Sequence, residues 1–582
     1  MMTVPRRLAG IAAVAVAATA FTLAAPGAAL GGSKGGHDKH GHGKGSGHLQ
    51  SVQLLSFNDY HGHLESPDGD DFYDTDEVGG GEYLATMLND LREDAPKGRS
   101  LTVAAGDLIG GSPFLSGLFH DEPSVESLEA MGLDVSSVGN HEFDEGTDEL
   151  LRMQHGGCHP VDGCYFADDP YDGAAFPWLA ANVVKKDGSG TLLPGTTIKK
   201  VDGMRIGFIG MTLEDTPTLV SPTGVASVEF RDEVRTANAE AKKLKRRGVE
   251  AIVVLLHEGG IPAGGGVSDC DQVSDPIRTI AERMSPAIDM LVTGHTHEPY
   301  VCSIDDPAGH PRLVTSAASY GRVVTETTLV LNRRTGDVDR ARTTAVNHIV
   351  AGVAADPAIT AIAEKWDALS GPLAARVVGS VAEDITGDSS GNRGIETPMA
   401  DLVADAILWG TDGADEGGAE IAFTNVGGVR ASLLVAPKYE EASGEVTYAE
   451  AYDVNPFGNL IVTVDMTGAD IEAALEQQYV PTRGRPYLAL GVSEGFTYAW
   501  DDSQPQGGKV VEGSMMLDGE AIDPAGTYRV AMYNFLSGGG DDFDAFTLGT
   551  DLLGGPEDLA NFVAFLEANP GLTAPEDRVA GL

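Results

Sequence analysis

The stretch VQLLSFNDYHGH, residues 52–63, decides how this chain is read. Val52–Phe57 is an apolar run of strand length, and it stops at Asn58-Asp59-Tyr60-His61, where the polar residues are of the types that ligate divalent metals. The same pattern recurs downstream. Leu101–Ala105 runs into Gly106-Asp107, and Val135–Val138 into Gly139-Asn140-His141-Glu142. Ile252–Leu256 runs into His257, and Ile288–Thr293 into Gly294-His295-Thr296-His297. Ile206–Ile209 reads as a further strand, while Glu82–Glu93 and the charged Asp232–Arg247 read as helices. Strand-length runs alternating with amphipathic helices are the pattern of α/β layering.

Taken singly, each strand ending has an ordinary explanation. An Asp after a strand is commonly a turn or a helix cap, and a loop His is commonly just solvated. Five endings in the order D-x-H, GD, GNHE, H and GHTH are not explained by independent turns. In α/β sheets ligands bind at the carboxyl ends of strands, so these groups are expected to converge on one dinuclear metal centre.

The segments FNDYHGH (57–63), AGDLIGG (105–111), GNHEFD (139–144), LLHEGG (255–260) and GHTHEP (294–299) resemble the calcineurin-like metallophosphoesterases. Within that family they resemble the secreted 5′-nucleotidase / UDP-sugar hydrolase / 2′,3′-cyclic phosphodiesterase group. The resemblance implies an α/β fold, with an N-terminal metallophosphoesterase β-sandwich flanked by helices over residues 50–345. It also implies that one metal takes Asp59, His61 and His297, that the other takes Asn140, His257 and His295, and that Asp107 bridges them. Two such ions can clamp the attacking and leaving oxygens of a phosphoryl group and activate a water. Imidazole, carboxylate and amide oxygen suit zinc, manganese or iron alike. His141 follows a ligand directly, so the family role it takes is contact with the phosphate and the leaving group, with Asp144 holding its ring. An imidazole can give up a proton close to neutral pH, which suits that task.

Residues 373–582 resemble the second domain of this group, an α+β domain that holds the nucleotide. FTNVGGVR (423–430) implies Asn425 and Arg430 as nucleotide contacts, and GNRGIETPMADL (391–402) implies Arg393 as a second phosphate-binding arginine. NPFGN (455–459) and NFLSGGGDDF (534–543) imply that Phe457 and Phe535 sandwich the base and that Asp541 binds the ribose hydroxyls. Two positions depart from the family pattern: Asp542 stands where Gly is common, and Pro398 where Asn is usual. Residues 346–372 are expected to connect the domains, with a helix over Asp356–Leu369.

The N-terminus reads as an address. Arg6 and Arg7, an apolar run from Leu8 to Leu23 and the small residues Ala24 to Ala29 make residues 1–29 a secretory signal peptide, by the general or the twin-arginine route. Residues 30–49 are a Gly- and His-rich tract (His37, His40, His42, His48) that cannot bury a core, hence a disordered linker with metal binding as its alternative. The four cysteines suit an exported protein. They allow three pairings, of which the sequential one, Cys158–Cys164 with Cys270–Cys302, is expected over a zinc site, because no spacing is C-x-x-C.

Composition narrows the partners. Hydrophobic residues are 42% and charged residues 22%, an ordinary globular balance, but Asp plus Glu number 87 against 39 Lys plus Arg, a net charge of −48. That surface repels phosphate backbones and anionic lipid, so no nucleic-acid polymer is expected as a partner; with no second apolar stretch of membrane length and a polar Ala574–Leu582, no membrane anchor is expected either. A small anionic substrate remains compatible where metals or arginines supply local positive charge. The expected activity is hydrolysis of nucleoside 5′-phosphates to nucleoside and phosphate. Cyclic-nucleotide phosphodiesterase with 3′-nucleotidase activity, or UDP-sugar hydrolysis, are the alternatives within the enzyme class. A non-catalytic protein that captures nucleotide or metal is the alternative outside it, and it would be expected to lack a ligand or the catalytic His. None of the eight positions is missing here.

Overall fold

The computed structural model describes residues 48–582 except 68–78, 221–223, 271, 388–391, 414–415, 439–440 and 484. The signal peptide read at 1–29 and most of the His-rich tract lie outside the described residues. Among the described residues, no helix is long and apolar enough to cross a membrane.

Two six-stranded sheets face one another across the first half of the chain. One runs in the order Thr344–Ile349, Val323–Asn332, Leu49–Phe57, Ser100–Ala105, Val135–Ser137, Trp178–Leu179. The other runs Tyr300–Asp305, Pro311–Ser316, Met290–Thr293, Ala251–His257, Met204–Thr212, Thr196–Val201. The period-2 alternation of a strand explains how they pack. Val52 and Leu54 join Val103, Phe208, Val253 and Val292 between the sheets, whereas Leu55 and Phe57 face outward into a second buried cluster. Helices Gly81–Asp94 and Pro357–Ala374 supply that outer cluster through Leu84, Leu88, Ile359 and Trp366. Helix Glu233–Arg246, capped by the Asp232 side chain on the Arg235 amide (2.6 Å), covers the outer face of the second sheet with Ile277–Arg283. Both faces of each central strand are therefore buried, which is why those strands read as continuous apolar runs.

The six strands expected from the sequence are all present. The fifth ligand-bearing strand starts at Met290 rather than Ile288. At Asp289 the backbone N–H still donates to Ile252 O (2.9 Å), but the side-chain carboxylate rather than a backbone carbonyl accepts the Ile252 amide (2.9 Å), and it pairs with Arg340 (3.0 Å). The sequence between the halves also differs in detail from the reading above. Thr344–Ile349 is an edge strand antiparallel to Val323–Asn332, and the helix capped by Asp356 runs past Ser370-Gly371-Pro372 to Ala374.

The second half is an α+β body. Its sheet runs Leu490–Val492, Ile421–Asn425, Thr527–Tyr533, Leu460–Thr467, Thr550–Glu557. Helices Pro398–Trp409 and Asp558–Ala568 cover one face, and Gly468–Glu476 lies against the other. Pro398 sits in the first turn of its helix, behind the Thr397 cap, where a missing N–H costs nothing. Ile421–Asn425 and Thr527–Tyr533 are parallel neighbours, so the loops after both emerge at one edge. Both expected disulfides, Cys158–Cys164 and Cys270–Cys302, are formed.

Candidate active site

Parallel pairing brings the strand endings together. Leu54 is level with Leu101, Val103 with Val135, Ile206 with Ala251, and Val253 with Met290. The residues that follow therefore crowd one edge of the sandwich. Of the seven expected metal ligands, Asp59, His61, Asp107, His295 and His297 have left-handed backbone, with φ between 47° and 72°. Such conformations cost a non-glycine residue free energy and persist where the surroundings impose them, commonly at functional sites. The adjoining glycines make room. A Cβ on Gly139 would lie 2.2 Å from Asp107 Oδ1, and one on Gly294 would lie 2.7 Å from Asp59 Oδ2.

The seven side chains form two groups around one carboxylate. Ligand atoms of Asp59, His61 and His297 lie within 4.8 Å of one another, as do those of Asp107, His257 and His295. Asn140 Oδ1 is 3.1 Å from His295 Nδ1. Asp107 Oδ2 stands between the groups, 2.8 Å from His257 Nε2 and 3.8 Å from His61 Nε2. The backbone sets the tautomers. His61 Nδ1 donates to Gly110 O (2.7 Å) and His257 Nδ1 to Ala105 O (2.8 Å), which leaves each Nε2 directed inward. Both Nε2 atoms are fully buried; that of His61 makes no hydrogen bond, and that of His257 faces only the Asp107 carboxylate. Buried imidazole nitrogens facing carboxylate oxygens call for a cation, and this donor set fits divalent transition metals.

The electrostatics agree. Burial holds His61, His295 and His297 well below the usual imidazole range, so they are neutral and able to ligate. Burial also lifts the Asp59 carboxyl to about 6. Burial opposes charge on His257, but Asp107 and Asp59 outweigh it and push that group up to about 10. Two buried carboxylates thus attract positive charge into the position where an ion would lie.

His141 stands beside this centre without belonging to the pairing above. Its amide donates to Asp107 Oδ1 (2.9 Å), and its Nδ1 donates to Asp144 Oδ2 (2.7 Å). Nε2 therefore faces the cleft, where Arg430 Nη2 donates to it at 3.3 Å. The ring of Phe457 stacks against His141, with centroids 5.8 Å apart. Arg430 also lies over Phe457, 4.9 Å from the ring centre. The second half of the chain thus reaches directly into the centre built by the first.

The remaining expected substrate contacts line the same cleft: Arg393, Asn425, Phe457, Phe535 and Asp541. Asn425 donates to Asp541 (2.9 Å), joining the two parallel loops. Asp542 has φ 60°, which explains why Gly is common there and why Asp, which tolerates this region, is an acceptable replacement. Phe457 and Phe535 are half-buried at the cleft wall rather than enclosed in the core.

Two residues were not legible in the sequence. Arg485 donates to His295 O (2.9 Å), and its positive charge depresses the His295 and His297 imidazoles. Arg485 and Arg430 in turn help burial lower Arg393 to about 9, so three guanidiniums concentrate positive charge over the centre. The stretch around Arg485, VPTRGRPY, has no pattern that marks it. Glu142 is the other. Its buried carboxylate accepts the amides of Asp107 (3.0 Å), Leu108 (2.8 Å) and Gly139, which locks two ligand loops together. Its place in GNHEFD was the available signal.

A sandwich with metal-ligating groups on its edge, closed by a nucleotide-type domain, defines a metal-dependent hydrolase of phosphoric esters. Comparison with known proteins narrows the class. Residues 53–299 match the calcineurin-like phosphoesterase family, and residues 377–548 match the 5′-nucleotidase C-terminal domain. The cell wall protein Lmo0130 of Listeria monocytogenes is 30% identical over 539 residues, covering 89% of this chain and 67% of that protein. The endonuclease YhcR of Bacillus subtilis is 32% identical over 528 residues, and this chain spans only 40% of its length. Among solved structures, a 5′-nucleotidase precursor from Thermus thermophilus is similar with a TM-score of 0.72 and 25% identity, over 91% of this chain and 99% of that one. This chain belongs to the calcineurin-like phosphoesterases that carry a 5′-nucleotidase C-terminal domain.

Proposed function

We propose that this chain is an exported phosphohydrolase that cleaves nucleoside 5′-phosphates to nucleoside and phosphate, using two divalent ions of the zinc, manganese or iron type. The observation that carries the reading is the meeting, in one cleft, of two sets of metal-type ligands with three arginines and two half-buried phenylalanines. Export rests on the N-terminal sequence, and a cell wall protein among the relatives supports it. Domain limits of 50–345 and 373–582, joined through 346–372, fit this division of labour.

Asp59, His61 and His297 would hold one ion, Asn140, His257 and His295 the other, and Asp107 both. When bound, the ions supply Lewis-acid polarisation of the phosphoryl group and lower the pKa of water. The protein groups do the rest. Arg393, Arg430 and Arg485 bind the phosphoryl oxygens, for which the guanidinium fork is suited. His141, oriented by Asp144, offers Nε2 to the departing ribose oxygen. Phe457 and Phe535 hold the base between them, and Asp541 accepts from the ribose hydroxyls while Asn425 fixes its position.

Phosphate release from AMP with added manganese or zinc, with and without a chelator, is the direct test. No release with any metal would sink the enzyme reading. A panel of AMP, 3′-AMP, 2′,3′-cyclic AMP, UDP-glucose, ATP and single-stranded DNA then ranks the substrates. The last tests whether the endonuclease activity in the name of the Bacillus relative extends to this chain, against which its net charge of −48 argues.

Removing either aromatic clamp separates a nucleotidase from a general phosphatase. Phe457→Ala or Phe535→Ala removes stacking of about 1–3 kcal/mol, so KM for AMP is expected to rise roughly tenfold. Hydrolysis of p-nitrophenyl phosphate, which has no base, falls much less. Parallel loss on both substrates with a lower Tm would return these rings to a packing role.

Arg485→Ala has the opposite signature. A charge-assisted hydrogen bond contributes about 1.5–3 kcal/mol, so kcat/KM should fall by roughly ten- to a hundredfold. The fall should be similar for AMP and p-nitrophenyl phosphate, because the phosphoryl group is common to both. A loss confined to AMP would place Arg485 on the nucleoside instead.

A further inference from the structure

At the rim of the cleft a second cluster of ligand-type side chains is assembled, from residues that the chemistry above does not use. His120, in the left-handed region (φ 50°), follows the short helix Phe114–Gly117. Glu145 directly precedes helix Gly146–His155. His159 and Asp162 lie in the loop closed by Cys158–Cys164. His120 Nδ1 is 2.7 Å from Glu145 Oε2, and its Nε2 is 2.8 Å from Asp162 Oδ2. The same Asp162 oxygen is 3.3 Å from His159 Nδ1. The two imidazoles stack with centroids 3.7 Å apart, and ligand atoms of His120, Glu145 and His159 all lie within 4.8 Å of one another.

Two features distinguish this cluster from an incidental surface pair. The loop is braced before any ion arrives, by the disulfide and by reciprocal hydrogen bonds between the backbones of His159 and Gly163 (3.0 Å each). The cluster also gathers ligand-type atoms from three separate segments within 4.8 Å, close enough for one ion to reach all three. Both ring nitrogens of His120 face carboxylate oxygens, so the ring carries an extra proton in the absence of an ion.

We propose that His120, Glu145 and His159, with Asp162 orienting the His120 ring, form a cation site separate from the catalytic centre, taking one divalent transition metal of the zinc type. His120 through Nδ1, Glu145 and His159 supply three ligands and leave a position for water, the ion takes the place of the proton on His120 Nδ1, and Asp162 holds the other nitrogen of that ring at 2.8 Å. Glu145 directly follows Asp144, whose carboxylate holds His141. The ion would therefore tie the disulfide loop and the turn at His120 to the segment that orients the His141 ring.

The test uses the full chain loaded with zinc chloride and desalted, with zinc measured by mass spectrometry. His159→Asn and the double variant H120N/H159N are expected to hold about one zinc equivalent per chain fewer than the wild type. A variant altered in the N-terminal tract, H37N/H40N/H42N, is expected to keep that equivalent. Wild-type protein should also gain more in Tm from added zinc than either cluster variant, because an ion that binds only the folded state stabilises it. Should the double variant fail to fold, Glu145→Gln, which leaves both rings in place, provides the same comparison. Equal zinc content in wild type, His159→Asn and Glu145→Gln would overturn the proposal. So would loss of the extra equivalent in the tract variant alone.

Discussion

Asp107→Asn is expected to take AMP hydrolysis below detection, with loss or weakening of both metals together. Asp107 Oδ2 stands between the two ligand groups, 2.8 Å from His257 Nε2 and 3.8 Å from His61 Nε2. An amide is neutral, and if its nitrogen took that place it would present protons to an ion. The fold should survive the change. Asn keeps an oxygen for the His141 amide, which Asp107 Oδ1 accepts at 2.9 Å. In the metal-free protein the substitution also removes the carboxylate that holds His257 protonated at 2.8 Å, so the metal-free variant is expected to melt lower than the metal-free wild type. The measurements are metal content after desalting, phosphate release and Tm. Wild-type turnover with both metals retained would refute the bridging assignment.

His141→Ala is expected to lower turnover by roughly 10²–10⁴ with metal content near normal. His141 touches the centre through its backbone amide on Asp107 and its ring edge against His61 (centroids 4.9 Å), while Asp144 directs the ring toward Arg430 and the cleft. Truncation leaves the amide in place, so Asp107 keeps that partner. It removes the group beside the departing oxygen and the ring face against which Phe457 stacks. A substrate with a good leaving group needs less help with protonation. The loss on p-nitrophenyl phosphate should accordingly be smaller than the loss on AMP. Loss of both metals would instead make His141 a ligand, an outcome that its ligand-distance grouping with His61 and Asp107 leaves to experiment.

Both of these variants lie in the first half of the chain, and the second half makes a different contribution. The metal groups belong to loops of the sandwich, and Glu142 ties two of those loops by accepting their amides. The arginines and aromatic rings come from the second half, and Arg430 and Arg485 are the residues that cross to meet the centre. Changes in the second half should therefore spare metal content. Changes to the proposed ligands of the first half should not.

What the sequence by itself determined was the set of local rules. A buried parallel strand must be apolar on both faces, and its end must turn, so ligands placed at strand ends are visible as a polar break in an apolar run. Asp59, Asp107, Asn140, His257 and His295 were legible for that reason, as was the helix that Asp232 caps. Charge and the N-terminal pattern were legible because they are sums and runs, which need no coordinates. Tertiary structure alone decided how those endings are aimed. The left-handed φ falls on five of the proposed ligands themselves and not only on their neighbouring glycines, because the packed loops impose it. Arg485 became a member of the site only when its loop met His295 O. His120 and His159 acquired a shared neighbour only when the disulfide loop folded back onto the turn at His120. Each of these depends on contacts between segments far apart in the chain, and long-range packing leaves no period or spacing in the sequence from which to read it.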